Sequence, residues 1–299
     1  MRVFLTGAGG YIGLHVLREL LANGHEVTAL VRSPGKLGPF ANTPGLRVFT
    51  ADLEQEGWVA KALEGHQVCV HAALLWGDPD KEHALQDTVV AARLFDAAGQ
   101  ARVATCIFIS SASVHRPFAG EMSEDDPLST ADFYGATKAA GELFLRAACA
   151  QHRMTGVVIR PGPVVGPPAF VGGSFRSDRR LAEMVAAAME ARPIEVLEHD
   201  GRQLSDVAAV ARAIRLLTSA RNPDPTYIFV DKTVLSWEWM ARKVVACLDS
   251  PSEVRVVLPM EEGLIPRFRS ERIEQLLGGP TDARDALEAH IHYLAQASQ

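Results

Sequence analysis

The stretch Arg2-Val3-Phe4-Leu5-Thr6-Gly7-Ala8-Gly9-Gly10-Tyr11-Ile12-Gly13 decides how the rest of the chain is read. Val3, Phe4 and Leu5 form a short apolar run bounded by turn residues, as in a strand buried on both faces. Glycines stand at 7, 10 and 13. Beyond them Ile12, Val16 and Leu20 recur at helical spacing, Leu17 and Leu21 lie one step along, and Asn23-Gly24 supplies a stop. A pyrophosphate needs backbone N–H groups and a helix N-terminus at close range, where a Cβ would hold it off. Thr6, Gly7, Gly10, Tyr11, Ile12 and Gly13 are therefore read as a dinucleotide-binding turn, with Gly-x-x-Gly-x-x-Gly in place of Gly-x-Gly-x-x-Gly.

With 299 residues the chain has room for one large α/β domain and a smaller lobe. A net charge of -6 and the lack of a basic stripe give no footprint for nucleic acid, which is not expected as a partner. Cys69, Cys106, Cys149 and Cys247 are far apart and form no C-x-x-C pair, which suits a reducing compartment. The apolar run before Thr6 is too short for a signal peptide, and no uncharged run approaches the roughly 18 residues of a membrane span. A cytoplasmic protein with no membrane association is expected.

Strands and helices then alternate. His25 to Val31 reads as a second strand, 46–50 as a third, 68–73 as a fourth and 105–110 as a fifth. Lys81 to Gly99 carries Ala84, Thr88, Ala91, Ala92 and Phe95 at helical spacing, with Gly99 placed as a terminator. Such alternation predicts an α/β fold, a doubly wound parallel Rossmann sheet. Residues 1–165 plus about 206–232 are assigned to it. Residues 166–205 plus 233–299 are assigned to a small C-terminal α/β substrate lobe.

After the second strand the sequence is Arg32-Ser33-Pro34-Gly35-Lys36. An NAD site is expected to carry a carboxylate there for the ribose 2'-hydroxyl, whereas an arginine accommodates a 2'-phosphate. Arg32 therefore points to NADP, with NADPH as the reduced form, ahead of NAD. The fifth strand ends in Ser110-Ser111-Ala112-Ser113-Val114-His115, at the strand end that faces a ligand crevice. Tyr134 and Lys138 follow, four apart, so a helix presents them on one face; Ser129 or Thr130 is placed to cap it. Carbonyl reduction needs a proton on oxygen, and a tyrosine near pKa 10 becomes a useful acid-base group when a cation lies beside it. A serine hydroxyl would hold the substrate oxygen within reach.

With these motifs the chain resembles the extended short-chain dehydrogenase/reductases from residue 2 to about 167. The resemblance implies Ser111, Tyr134 and Lys138 as the catalytic set, with Ser113 as the alternative serine. It implies that Asp52-Leu53 meets the adenine, that Ala72-Ala73 runs along the cofactor, and that Arg160-Pro161-Gly162-Pro163-Val164-Val165 is the nicotinamide-side segment. Asp52 is also placed to cap the next helix. Pro161 to Phe175 holds many Pro and Gly residues, and a loop of that length suits a substrate-covering role as well as a plain connector. Trp76, Phe118, His115 and Phe170 are candidates for a substrate pocket by loop position. A homodimer through the helices at about 81–99 and 133–150 is carried by the resemblance.

Three departures from the family pattern matter. His115 stands where a Tyr is frequent, Ala208 and Ala209 replace an Asp pair, and Ala112-Ser113 stands where dehydratases carry Asp-Glu. The last weakens the dehydratase reading. The leading expectation is an NADP-dependent reductase or dehydrogenase acting on a carbonyl or secondary alcohol of a small, partly apolar metabolite. The runner-up is a nucleotide-sugar epimerase, kept alive by Arg202, which aligns with a diphosphate-binding arginine of sugar-nucleotide members, and by Arg176, Arg179 and Arg180. A silent NADP sensor has no need of Ser111, Tyr134 and Lys138 together. No metal is expected, since His290 and His292 are two apart and a helix points them to different faces.

Overall fold

The computed structural model describes residues 1–55, 57–75, 83–259 and 265–297. In chain order it runs β1 (Arg2–Thr6), α1 (Tyr11–Ala22), β2 (Glu26–Val31), β3 (Leu46–Thr50), α2 (Val59–Leu63), β4 (Val68–His71) and α3 (His83–Gln100). Then come β5 (Thr105–Ile109), β6 (Glu121–Met122), α4 (Phe133–His152), β7 (Thr155–Pro161), β8 (Val164–Val165), α5 (Arg179–Met189), β9 (Ile194–Leu197), β10 (Gly201–Arg202) and β11 (Ser205–Asp206). Last are α6 (Val207–Leu217), β12 (Thr226–Phe229), β13 (Leu235–Ser236), α7 (Trp237–Cys247), β14 (Val254–Val257), β15 (Arg267–Phe268), α8 (Glu271–Leu277) and α9 (Arg284–Ala297). A 3-10 segment, Pro34–Asn42, follows β2, and another, Ala112–His115, follows β5.

Seven strands form one sheet in the order β12-β7-β5-β4-β1-β2-β3, each parallel to its neighbours. The chain builds outward from β1 to β3, then returns to β4 and builds the other way. That reversal lies between β1 and β4, and in open sheets of this kind ligands bind outside the carboxyl ends of the strands at such a point. The expected doubly wound α/β sheet is thus present.

The pleat explains the apolar runs. Val3, Leu5, Val68, Val70, Ile107 and Ile109 point to one face, against α1 and α6. Phe4, Cys69, Cys106 and Phe108 point to the other, with Phe95 of α3 and Leu145 of α4. Strands buried on both faces need no polar alternation, so they read as continuous hydrophobic segments.

A third cluster joins Leu181, Met184 and Val185 of α5, Trp237, Met240 and Val244 of α7, and Leu287 and Ile291 of α9. Ile273 of α8, placed in the small lobe by sequence, packs with the sheet cluster instead. Two local readings also differ. Asp132 caps α4 by accepting from Gly135 N, in place of Ser129 or Thr130. Gly99 does not end α3, which runs on to Gln100; a Cβ there would lie 2.2 Å from the His152 ring, so glycine lets α3 and α4 approach.

Candidate active site

The carboxyl end of β5 turns sharply at Ser111, whose Oγ accepts from Ser113 N at 3.1 Å and caps the 3-10 turn. Gly135 lets α4 begin against that turn, since a Cβ there would lie 2.8 Å from Ser113 O. The start of α4 thereby brings Tyr134 close enough to Ser111 for the serine hydroxyl to act on its phenol. One helical turn on, the Lys138 side chain is buried, with Nζ 3.9 Å from Asp87 Oδ2 and 5.0 Å from the Phe108 ring centroid.

Burial dominates the electrostatics. It raises the Tyr134 phenol above its ordinary 10; the Ser111 hydroxyl and Arg176 pull it down, while Asp87 and Asp132 push it up. The sequence predicts that the neighbouring Lys138 lowers this phenol; desolvation sets the direction instead, and the cation that opposes it is Arg176. Burial likewise lowers Lys138, opposed by the carboxylate of Asp87.

Beneath the serine turn lies a sealed polar network. Ser110 Oγ donates to Glu142 Oε1 at 2.6 Å, and Arg160 holds both oxygens of Glu142. Arg160 Nη1 also reaches Glu124 O at 3.2 Å and lies 3.0 Å from His115 Nε2. His115, a candidate for the substrate, is therefore buried in this network and meets the interior.

The glycine turn fits a dinucleotide. Gly7 has φ +68°, and a Cβ on it would come within 2.6 Å of the backbone at Ala72 and Ala73, which close over the turn from the end of β4. A Cβ on Gly13 would lie 1.9 Å from Gly7 O. Gly10 is the N-cap of α1, exposed, and no side chain caps the helix there. The first N–H groups of α1 are thus presented as an anion site. The side chains of two predicted cofactor residues are spent on bracing: Thr6 Oγ1 lies 2.7 Å from His71 Nδ1 and accepts from Ala73 N, and Tyr11 Oη donates to Gly166 O at 2.6 Å. Ile12 is half-buried against the core.

Arg32 is exposed just past β2, with no ion pair among the described residues. Lys36 packs on the glycine turn, its Cβ 3.0 Å from where a Gly9 Cβ would be. Asp52 caps a local turn at Glu54 N, 3.0 Å away, and its carbonyl accepts from Trp58 Nε1; α2 starts only at Val59, so Asp52 is not its cap. Leu53 is half-buried against the core on the α3 side of the sheet.

The segment from Pro161 onward lies across the glycine turn. Gly162 N reaches Ser205 Oγ at 3.0 Å, and Val164 pairs with Ser205 in a short parallel ladder. Ser174 Oγ donates to Gly9 O at 2.5 Å, and His15 Nε2 is 3.0 Å from Pro167 O. From the other side His290 of α9 meets Gly166 through Nδ1 and Ser177 through Nε2. Phe170 does not face the serine turn; its ring packs on Phe40 and over Gly38, the segment after β2. Phe118 stacks edge-on against Phe268 at 5.4 Å. Trp76 lies outside the described residues.

Arg202 donates to Asp178 Oδ2 at 2.8 Å and its guanidinium sits 4.3 Å from the Trp237 ring. Arg180, paired with Asp200, lies at the same distance from that ring. His292 shares a surface cluster with Cys247 and Glu288, their ligand atoms within 4.8 Å of one another, while Lys243 pairs with Glu288. No described helix is long and apolar enough to cross a membrane.

Sequence reading missed Asp87, Ser174 and His290. Asp87 carried a signal: it is an acid on the apolar stripe of α3, three residues after Ala84 and four before Ala91.

Comparison with known proteins agrees with this geometry. The family model described as "NAD dependent epimerase/dehydratase family" matches residues 3–229. A Bacillus subtilis protein named "Uncharacterized UDP-glucose epimerase YtcB" is 26% identical over 234 residues, 73% of this chain and 72% of its own. The dTDP-4-dehydro-6-deoxy-D-allose reductase of Streptomyces bikiniensis is 27% identical, covering 85% of this chain and 83% of its own. Among solved structures, MoeE5 in complex with UDP-glucose and NAD is 25% identical with a TM-score of 0.77, covering 100% of both chains. The UDP-glucuronic acid 4-epimerase from Bacillus cereus in complex with NAD shares the fold, with a TM-score of 0.84 at 20% identity over 99% of this chain and 97% of its own. A glycine turn at the switch point, a serine strand end and a family match over three quarters of its length together place this chain in the NAD-dependent epimerase/dehydratase family.

Proposed function

We propose that the chain is a nicotinamide-dependent enzyme acting on a secondary alcohol or carbonyl of a nucleoside diphosphate sugar, with epimerisation ahead of net reduction. The observation that carries this reading is the placement of Tyr134 and buried Lys138 one turn apart on α4, which starts against the Ser111 turn at the carboxyl edge of the sheet that also bears the glycine turn. The sugar-nucleotide names of MoeE5 and of the two curated relatives support the substrate class over a small, partly apolar metabolite. Arg202 and Arg180 flanking Trp237 supply cations on the substrate side.

In this reading Ser111 Oγ orients the reacting oxygen, and Tyr134 Oη gives or takes its proton. Lys138 fixes the field under the phenol. A nicotinamide dinucleotide on the glycine turn supplies hydride exchange. Burial raises the Tyr134 phenol, which favours its protonated form, the form that gives the proton in the reduction half of an epimerisation. The Pro161 to Ser177 segment, tied to Gly9, Tyr11 and His290, keeps water from the turn. MoeE5 was solved with NAD, which favours that form; exposed Arg32 is the feature that supports NADP. We also infer a homodimer through α3 and α4, supported by exposed Leu85, Val89, Leu143 and Phe144.

The test is incubation with UDP-glucose, UDP-glucuronic acid and a 4-keto dTDP-sugar, each with NAD(H) and NADP(H). Interconversion of sugar epimers without net cofactor turnover is expected. Stoichiometric NAD(P)H oxidation by simple ketones or aldehydes, with all nucleotide sugars inert, would restore the small-metabolite reductase.

A further inference from the structure

Lys138 is an ammonium that has been taken out of water, and a lone buried cation is expensive enough to shed its proton. From β5 Lys138 meets the face of Phe108, and from its own helix Tyr134 one turn earlier. From β4 it has His71, which burial first and the charge of Lys138 second hold neutral, down to about 3. Among the described residues the remaining charged group is on α3: Asp87, 2% exposed, with Oδ2 3.9 Å from Nζ. Its other oxygen accepts from Leu75 N at 2.8 Å, which locks the carboxylate in place at the end of the β4 segment.

We propose that Asp87 is a positioning residue, the counter-ion that keeps Lys138 charged and aimed under Tyr134 inside the buried site. The inference rests on the reading of Lys138 as the orienting cation of the proposed reaction. Phe108 offers only the face of a ring, and neutral His71 adds no negative charge, so the protonated state of Lys138 depends on the acid of α3. A carboxyl anchored by a backbone N–H also cannot swing away, so it fixes where the ammonium stands. The apolar stripe of α3 tolerates an acid at 87 because the lysine of α4 comes to meet it.

The experiment follows the Lys138 side chain by carbon-13 NMR of labelled lysine, with Lys138→Arg used to identify its signal, in the full chain and in Asp87→Asn. The amide oxygen of Asn can still accept from Leu75 N, so the local backbone is kept. The expected result is that the Lys138 midpoint falls by about 1 to 3 pH units in Asp87→Asn. The basic limb of the pH-rate profile should move down with it. An unchanged midpoint overturns the proposal. If Asp87→Asn does not fold, Lys138→Met gives a second arm: it should lower the thermal midpoint by stranding the carboxylate, and Lys138→Met/Asp87→Asn should recover part of the loss. No recovery overturns the proposal as well. The NMR midpoint and the thermal midpoint need no substrate, so a shifted midpoint together with a fully active Lys138→Met variant would sink the proposed function and leave the counter-ion in place.

Discussion

Arg160 donates from Nε and Nη2 to the two carboxylate oxygens of Glu142 at 2.9 and 2.7 Å, and both side chains are sealed from solvent under the serine turn. Breaking one partner leaves an uncompensated buried charge. Glu142→Ala is expected to cost about 3–5 kcal/mol of stability, read by urea denaturation. Replacing both residues by apolar ones of similar volume should cost much less. Equal losses in the single and paired variants would mean that packing, not charge, sets the value.

Tyr134→Phe removes the phenol hydroxyl and preserves the ring. If the phenol is the general acid, kcat should fall by about 10² to 10⁴ with the fold intact by circular dichroism. An unchanged rate would remove Tyr134 from the mechanism.

Arg32→Ala separates the two cofactor forms. A guanidinium on a 2'-phosphate contributes about 1.5–3 kcal/mol, so NADPH should bind roughly ten- to a hundredfold more weakly in the variant, with NADH little changed. Calorimetric Kd values check this. Equal effects on both cofactors would assign Arg32 to solvent and leave NAD as the working form.

His15 and His290 are held neutral, down to about 4, first by burial, and His71 to about 3 for the same reason. Their unfolded counterparts titrate near 6.5, so the unfolded chain binds protons first as the pH drops. Their contribution is complete above about pH 6.5 and is lost as the pH falls toward 4, at about 1.4 kcal/mol per pH unit for each histidine. Denaturation at pH 7, 6 and 5 should reveal this slope, and His290→Asn should reduce it. A slope unchanged in that variant would rule out His290 as a contributor.

Leu143, 57% exposed on α4, and Leu85, 67% exposed on α3, are large apolar side chains facing solvent in the single chain. If α3 and α4 form the dimer face, Leu143→Glu should halve the mass seen by light scattering without loss of secondary structure. A wild-type chain that is monomeric at every concentration tried would end the dimer reading.

The amino-acid sequence by itself determined the strand, glycine turn and helix at residues 2–22, and the pairing of Tyr134 with Lys138 on one helix face. These are local: periodicity, turn chemistry and four-residue spacing act within a few residues of chain. It also determined the parallel sheet, because strands buried on both faces leave long apolar runs. Only the tertiary structure decided that Asp87 meets Lys138, that Arg160 clamps Glu142, that His290 fastens the loop over Gly166, and that Phe170 lies on the β2 side instead of at the serine turn. Each of these joins residues from different elements, and their meeting depends on the order of strands and the closure of helices over them. The same cause moved the Tyr134 phenol upward: spacing can bring a cation to a tyrosine, but how much water the fold removes from both is set by everything packed around them.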